Sequence, residues 1–110
     1  MIMRHVILRI YLSEKDSYRG KAAYHAVIEL FKKAGIAGAT VHHCMEGYGV
    51  DHVIHTANVL RLGADLPIIV QAVDVEENIR AMIPELRQML PRELMILQEV
   101  EIIPPSVVQK

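Results

Sequence analysis

The chain has 110 residues, 52% of them hydrophobic, and a formal net charge of -1, which fits one domain spanning residues 1–110 and argues against nucleic-acid binding. Its single cysteine, Cys44, excludes an intramolecular disulfide framework and fits a reducing compartment. Because it has no apolar run of roughly 20 residues and no signal-peptide core near its start, we expect a cytoplasmic protein.

The first predicted elements are a strand, a polar turn and a helix. Apolar and mixed residues alternate from Ile2 to Leu12, which is typical of a strand. Ser13 to Ser17 forms the turn. A helix is predicted from Gly20 to Lys33, with Gly35 as its C-cap. Its apolar stripe comprises Ala23, Val27, Leu30, Phe31 and Ala34.

Two further strands flank a long connection. Gly38 to Gly47 and Leu66 to Val73 have strand composition. Tyr48 to Asp65, between them, is too long for a hairpin turn and too mixed for a strand. A long irregular connection in a compact domain is usually functional or disordered. We expect its middle, Val50 to Leu60, to move while its base stays ordered.

A second helix and a last strand complete the pattern. Asp74 is predicted to cap the helix through an acidic capping box. Pro84 falls inside the helix and predicts a kink or a break. Leu94 to Ile103 is the fourth strand, which Pro104 ends. The helical stripe comprises Ile79, Met82, Ile83, Leu86, Met89 and Leu90.

The order of elements predicts an α+β fold, the ferredoxin-like βαββαβ sandwich. Two helices should cover one face of a four-stranded antiparallel sheet. The residues predicted for the other face, such as Ile7, Tyr11, Ile69 and Val73, are largely apolar as well. Strand propensity alone would favour such residues. We instead expect a homo-oligomer that buries this face.

Several segments, in order, carry a family resemblance. They are Ser13-Glu14-Lys15-Asp16, Gly35-Ile36-Ala37-Gly38-Ala39-Thr40-Val41, Glu46-Gly47-Tyr48-Gly49, His55-Thr56-Ala57, and Asp65-Leu66-Pro67 before a strand ending in Asp74. Together they resemble the domain of unknown function 190 family, which is similar to P-II-type signalling proteins. The resemblance covers nearly the whole chain.

The resemblance implies a homotrimer whose sheets face inward. It places Tyr48 to Asp65 where P-II proteins carry the T-loop, the segment that touches their target proteins. By analogy, the partner would be a membrane transporter or channel. P-II relatives bind adenine nucleotides between subunits, so a small-molecule effector is expected, with an adenine nucleotide as one candidate. Met89 to Glu93 departs from the Gly-rich phosphate loop of P-II proteins.

The candidate ligand-binding residues belong to the first turn and the long connection. Glycines at a strand exit allow close backbone approach to a ligand, and Lys15 and Arg61 are charge partners for an anion, with Arg9 on the open face as a third. Each of the three cations is also explained as an ordinary salt-bridge residue. The ligand set is Glu14, Lys15, Glu46, Gly47, Gly49 and Arg61, and the partner-loop set is Tyr48, His52 and His55.

Histidines and the cysteine raise a metal alternative. On a strand, His42 and Cys44 share a face, whereas His43 lies on the other. His52 and His55 would have to fold back to join them. We predict no metal site, but a trimeric metal-binding protein resembling the copper-tolerance trimers remains the alternative. No catalytic group set is visible, so we predict no enzyme, and we interpret Cys44 as a small buried hydrophobe.

Overall fold

A computed structural model describes residues 3–44, 46–47, 55–56 and 66–106. The elements are β1 (His5–Ser13), β2 (Ser17–Tyr18), β3 (Lys21–Ala22), α1 (Ala23–Ala34), β4 (Gly38–His43), β5 (Glu46–Gly47), β6 (His55–Thr56), β7 (Pro67–Val75), α2 (Glu76–Met89) and β8 (Met95–Val100). Four of these strands form an antiparallel sheet in the order β4-β7-β1-β8. The predicted ferredoxin-like fold is confirmed.

Both helices pack on one face of this sheet and enclose the core. Alternation along β1 and β7 turns every second residue toward the helices, where it is buried. Burial of each large apolar side chain contributes about 1.5–3 kcal/mol to stability. The core comprises Val6, Leu8, Ile10, Leu12, Ala23, Val27, Phe31, Ile68, Val70, Ala72, Ile79, Met82, Leu86 and Leu90.

The predicted start of the first helix at Gly20 is wrong, because β2 and β3 form a short hairpin before α1. Arg19 and Gly20 make its two-residue turn with φ of 50° and 82°. A turn with two positive φ angles suits the twist of a hairpin, although a non-glycine residue is strained there. The predicted C-cap is confirmed, since Gly35 is left-handed and its N–H bonds the Lys32 carbonyl.

The predicted capping role of Asp74 is wrong. Asp74 lies in β7, is only 8% exposed, and faces the helices. Its carboxylate accepts hydrogen bonds from the Ala37 and Val75 backbone N–H groups and from the Asn78 side chain, at 2.9, 2.6 and 3.0 Å. Asp74 therefore ties the start of β4 to the junction of β7 and α2.

The remaining elements differ from prediction mainly at their ends. A kink or a break is predicted at Pro84; α2 continues through it, so there is no break, and the kink stays a prediction. Because proline has no N–H, the Arg80 carbonyl four residues earlier loses its helical hydrogen bond. Pro84 is exposed, so water can donate to that carbonyl instead. β8 ends at Val100, and residues 101–106 have no regular structure. Among the described residues, no helix is long and apolar enough to cross a membrane.

Candidate functional site

Three of the main strands meet the first turn at one end of the sheet, which we call the loop end. β1 and β4 end there, and β7 begins there. The Glu14 N–H donates to the Leu66 carbonyl at 2.8 Å, and the Cys44 N–H donates to the Pro67 carbonyl at 2.9 Å. The first turn and the flanks of the long connection are thus joined by backbone hydrogen bonds.

The turn that carries Glu14 and Lys15 is itself fixed. The Asp16 carboxylate accepts a hydrogen bond from the Ser13 N–H at 2.9 Å, and the Ser13 hydroxyl accepts one from the Lys15 N–H at 3.2 Å. The Asp16 carbonyl accepts from the N–H of Ala23, the first residue of α1, at 2.8 Å. Glu14 and Lys15 therefore sit on a defined turn between β1 and α1.

The base of the long connection forms a second small ladder. Glu46 pairs with Thr56, and Gly47 pairs with His55, in antiparallel register. The structure thus brings the backbone of Gly47, a predicted ligand residue, opposite His55, a predicted partner-loop residue, with Glu46 beside it in the same ladder. It also corrects two expectations, since β4 ends at His43 and a strand does occur between residues 48 and 65. Strands of two residues are too short to show a periodic pattern in the sequence.

Four predicted site residues lie outside the described part of the chain. Gly49 and Arg61 come from the ligand set, and Tyr48 and His52 come from the partner-loop set. The expected mobility of Val50 to Leu60 also falls outside the described residues, apart from β6.

The sheet face turned away from the helices, which we call the open face, is the other candidate functional surface. Its members share a face because they pair across the strands. Tyr11 is 38% exposed and Ile96 is 36% exposed, whereas Ile10 and Ile68 on the helix side are 0% exposed. The open face comprises His5, Ile7, Arg9, Tyr11, Ser13, Gly38, Thr40, His42, Pro67, Ile69, Gln71, Val73, Val75, Ile96, Gln98 and Val100.

The histidines of β4 point to opposite faces, as predicted. His42 pairs with Ile69 on the open face. His43 lies on the helix side, where its ring meets the Tyr24 ring edge-on at 6.0 Å. Cys44 is half-buried rather than fully buried. Over the described ranges, no three His, Cys, Asp or Glu residues come close enough to hold a metal.

The connection between α2 and β8 is held by an arginine on α2. Arg87 Nη1 donates to the Leu90 carbonyl at 3.2 Å and to the Glu93 carbonyl at 2.8 Å. These bonds fix the backbone of a segment that contains no glycine. The connection therefore differs from a glycine-rich phosphate loop, in agreement with the departure from the P-II pattern.

Carboxyl groups with shifted pKa values lie away from the loop end. The hydrogen bond from Lys21 lowers the pKa of Glu29, and the one from Arg80 lowers the pKa of Glu76. Burial raises the pKa of Asp74, but its hydrogen bonds from Val75, Ala37 and Asn78 together outweigh burial and lower it. Glu29 and Glu76 belong to ion pairs at the surface, and Asp74 belongs to a buried hydrogen-bonded cluster, so the three shifts have a structural origin.

A family model matches most of the chain. The model for DUF190, described as Uncharacterized ACR, matches residues 5–102. The chain belongs to this family. It is 38% identical over 91 residues to the UPF0166 protein MJ1524 of Methanocaldococcus jannaschii, covering 83% of each chain. It is 33% identical over 102 residues to a UPF0166 protein of Aquifex aeolicus, covering 93% of this chain and 96% of that one.

Solved structures extend the likeness of this DUF190 chain at the level of the fold. CPII, a nitrogen regulatory PII-like protein from Thiomonas intermedia K12 bound to ADP, AMP and bicarbonate, matches with a TM-score of 0.69 and 17% identity. The match covers 90% of this chain and 88% of that one. The divalent ion tolerance protein CutA1 from Ehrlichia chaffeensis matches with a TM-score of 0.61 and 11% identity, covering 94% and 88%. The chain therefore has the PII-like fold.

Proposed function

We propose that this chain is a PII-like regulatory protein rather than an enzyme. In the proposal, three copies pack with their open faces inward and bind a small-molecule effector in the clefts between them. An adenine nucleotide is the first candidate, because the CPII protein of similar fold is bound to ADP and AMP. Segment 48–65 then engages or releases a partner protein, with a membrane transporter or channel as the first candidate.

The observation that carries the proposal is the apolar open face. Ile7, Ile69 and Ile96 lie on it in the middle strands and on one edge, and no described element covers them. Exposed apolar side chains on an uncovered sheet face indicate a protein interface. In the proposed PII-like assembly, other copies of this chain would cover this face.

The loop end supports the regulatory part of the proposal. Glu14 and Lys15 lie on the fixed turn, and the ladder of β5 with β6 lies at the base of segment 48–65. A ligand that contacts both the turn and this base would favour one arrangement of the segment. Only a difference in affinity between two arrangements makes such a ligand a switch.

Hydrogen exchange with ATP, ADP or AMP tests the proposed ligand. We expect one of these nucleotides to slow exchange in segment 48–65, with little change in β1. Lys15→Ala and Arg61→Ala should weaken that protection. Lys32→Ala, which removes the same charge from an exposed position on α1, should leave it unchanged. If none of the nucleotides alters exchange in the segment, the proposed nucleotide ligand is wrong.

The metal-binding alternative rests on the likeness to CutA1. It predicts near one zinc or copper ion per trimer in protein purified without a histidine tag. His42→Ala or Cys44→Ala should then remove the ion. We expect no bound metal, because His42 and His43 lie on opposite faces. A stoichiometric metal that depends on His42 or Cys44 would favour the alternative.

A further inference from the structure

The centre of the open face holds a polar cluster of one arginine and two glutamines. Arg9 is the middle residue of β1, which lies between β7 and β8. Its Nε donates to Gln71 Oε1 at 3.1 Å, and its Nη1 donates to Gln98 Oε1 at 2.7 Å. Each side chain therefore comes from a different strand. The cluster is held by the sheet and does not depend on a loop.

This cluster presents mainly hydrogen-bond donors to a ligand. A guanidinium has five N–H donors and no acceptor, so both glutamines must turn their carbonyl oxygens toward Arg9. Their NH2 groups then face elsewhere, and no described residue accepts from them. Two of the five Arg9 donors bind the glutamines, which leaves three for another group.

Among the described residues, no open-face side chain balances the charge of Arg9. No Asp or Glu occupies an open-face position in the four described strands. The imidazoles of His5 and His42 and the phenol of Tyr11, which also lie there, are not carboxylates. Along β1, Arg9 lies between Ile7 and Tyr11, so its immediate neighbours are large and largely apolar.

Assembly through this face would bury Arg9 without a counter-charge, which costs free energy. If three copies pack their open faces together, three Arg9 side chains lose water, and the face itself offers no carboxylate. A buried charge without a partner costs several kcal/mol. A bound anion removes that cost, and it meets donors that the sheet has already positioned.

We infer that Arg9, Gln71 and Gln98 form a binding site for a small oxyanion of the carboxylate, bicarbonate or phosphate type at the centre of the assembly. The site is separate from the loop end. The inference rests on the proposed trimer for its energetic argument. Occupancy would stabilise the assembled protein and link its stability to the concentration of the anion.

Thermal unfolding in different sodium salts tests the site. The probes are bicarbonate, acetate and phosphate, each compared with chloride at one pH and matched ionic strength. We expect at least one oxyanion to raise the Tm of the wild type by about 4 °C over chloride. Arg9→Gln should lose this shift. Arg92→Gln, the same change at an exposed position after α2, should keep it.

Gln98→Glu provides a second test in a nearly isosteric side chain. It places a carboxylate at the position 2.7 Å from Arg9 Nη1 and supplies the counter-charge from within the chain. We expect this variant in chloride to reach the Tm of the wild type in its best oxyanion, with no further gain from that oxyanion. An unchanged oxyanion shift in Gln98→Glu or in Arg9→Gln would overturn the site.

Sedimentation of the wild type separates this inference from the proposed function. A trimer whose Tm responds to none of the three oxyanions overturns the anion site alone. A monomer whose Tm rises through Arg9 overturns the proposed assembly, and the anion site then stands on the open face of the single chain and not at the centre of an assembly.

Discussion

The two faces of the sheet are built from the same strands but differ in what covers them. On the helix side, Leu8 and Val70 are fully enclosed by α1 and α2. On the open face, Ile7 and Ile69 are only half-buried, and Arg9, which follows Ile7 on the same face of β1, donates to two glutamines. The helix side is a closed hydrophobic core. The open face combines apolar side chains with a charged cluster at its centre.

This difference separates the residues that stabilise each single chain from those that support assembly. Substitutions on the helix side should destabilise each chain whatever its assembly state, because the contacts lie within one chain. Substitutions on the open face should act through assembly. A helix-side substitution that acted only through assembly, or an open-face substitution that destabilised the single chain, would contradict this assignment.

The largest expected effect comes from a charge placed on the open face. Ile69→Asp would leave an unpaired carboxylate in the proposed interface, at a cost of about 4 kcal/mol for each copy. We expect sedimentation velocity to show loss of the trimer, with helical content retained. Ser17→Asp adds the same charge at an exposed position on β2 and should stay assembled. A trimeric Ile69→Asp variant would mean that the open face is not the interface.

A pair of neighbouring residues then contrasts the faces directly. Leu8→Ala removes a side chain that is 1% exposed and should lower the free energy of unfolding by about 3 kcal/mol. It should do so at every protein concentration. Ile7→Ala should lower stability mainly under conditions where the trimer forms. Denaturant titrations at several protein concentrations compare the two variants. The same dependence of the stability loss on concentration in both would contradict the different roles of the two faces.

The buried carboxylate on the helix side gives a smaller effect that depends on pH. Asp74→Ala strands the Ala37 N–H and should cost about 2 kcal/mol. Because folding lowers the pKa of Asp74, its contribution is present above the unfolded pKa of about 4 and is lost as pH falls through the folded pKa. The stability gap between wild type and Asp74→Asn, followed by thermal unfolding, should narrow on acidification. A constant gap would contradict this linkage.

The hairpin turn sharpens the comparison with a region that belongs to neither face. Arg19 has a φ of 50°, and its guanidinium lies 5.1 Å from the centre of the Tyr18 ring. Arg19→Asn and Arg19→Val both remove this contact, but only valine resists a positive φ. We expect the asparagine variant to be more stable than the valine variant by about 1 kcal/mol. Equal denaturant midpoints would show that the turn relaxes without cost.

Regular alternation and helical spacing predicted most of the fold. The helix-side positions of β1 and the stripe of α2 repeat often enough to mark both elements and their buried faces. The hairpin before α1 was missed because each strand has only two residues and because Arg19-Gly20 lacks the Asn or Asp that usually precedes glycine in such a turn. Asp74 was misplaced because its partner Ala37 lies 37 residues away, and spacing along the chain does not report such contacts.

The candidate site was harder to predict for the same reason. Glu14 and Lys15 were placed correctly on a polar turn, but the hydrogen bond from Glu14 to Leu66 depends on how the strands align. The Arg9 cluster joins three strands that are far apart in sequence. The sequence showed that Arg9 lies on the open face, whereas its glutamine partners required the register.

Native mass spectrometry of the unmodified protein at micromolar concentration tests the central claim most directly, because that claim is that copies of this chain cover the open face. The predicted spectrum is dominated by a species with three times the mass of the 12.4-kDa chain. A single monomeric species under these conditions would contradict the account.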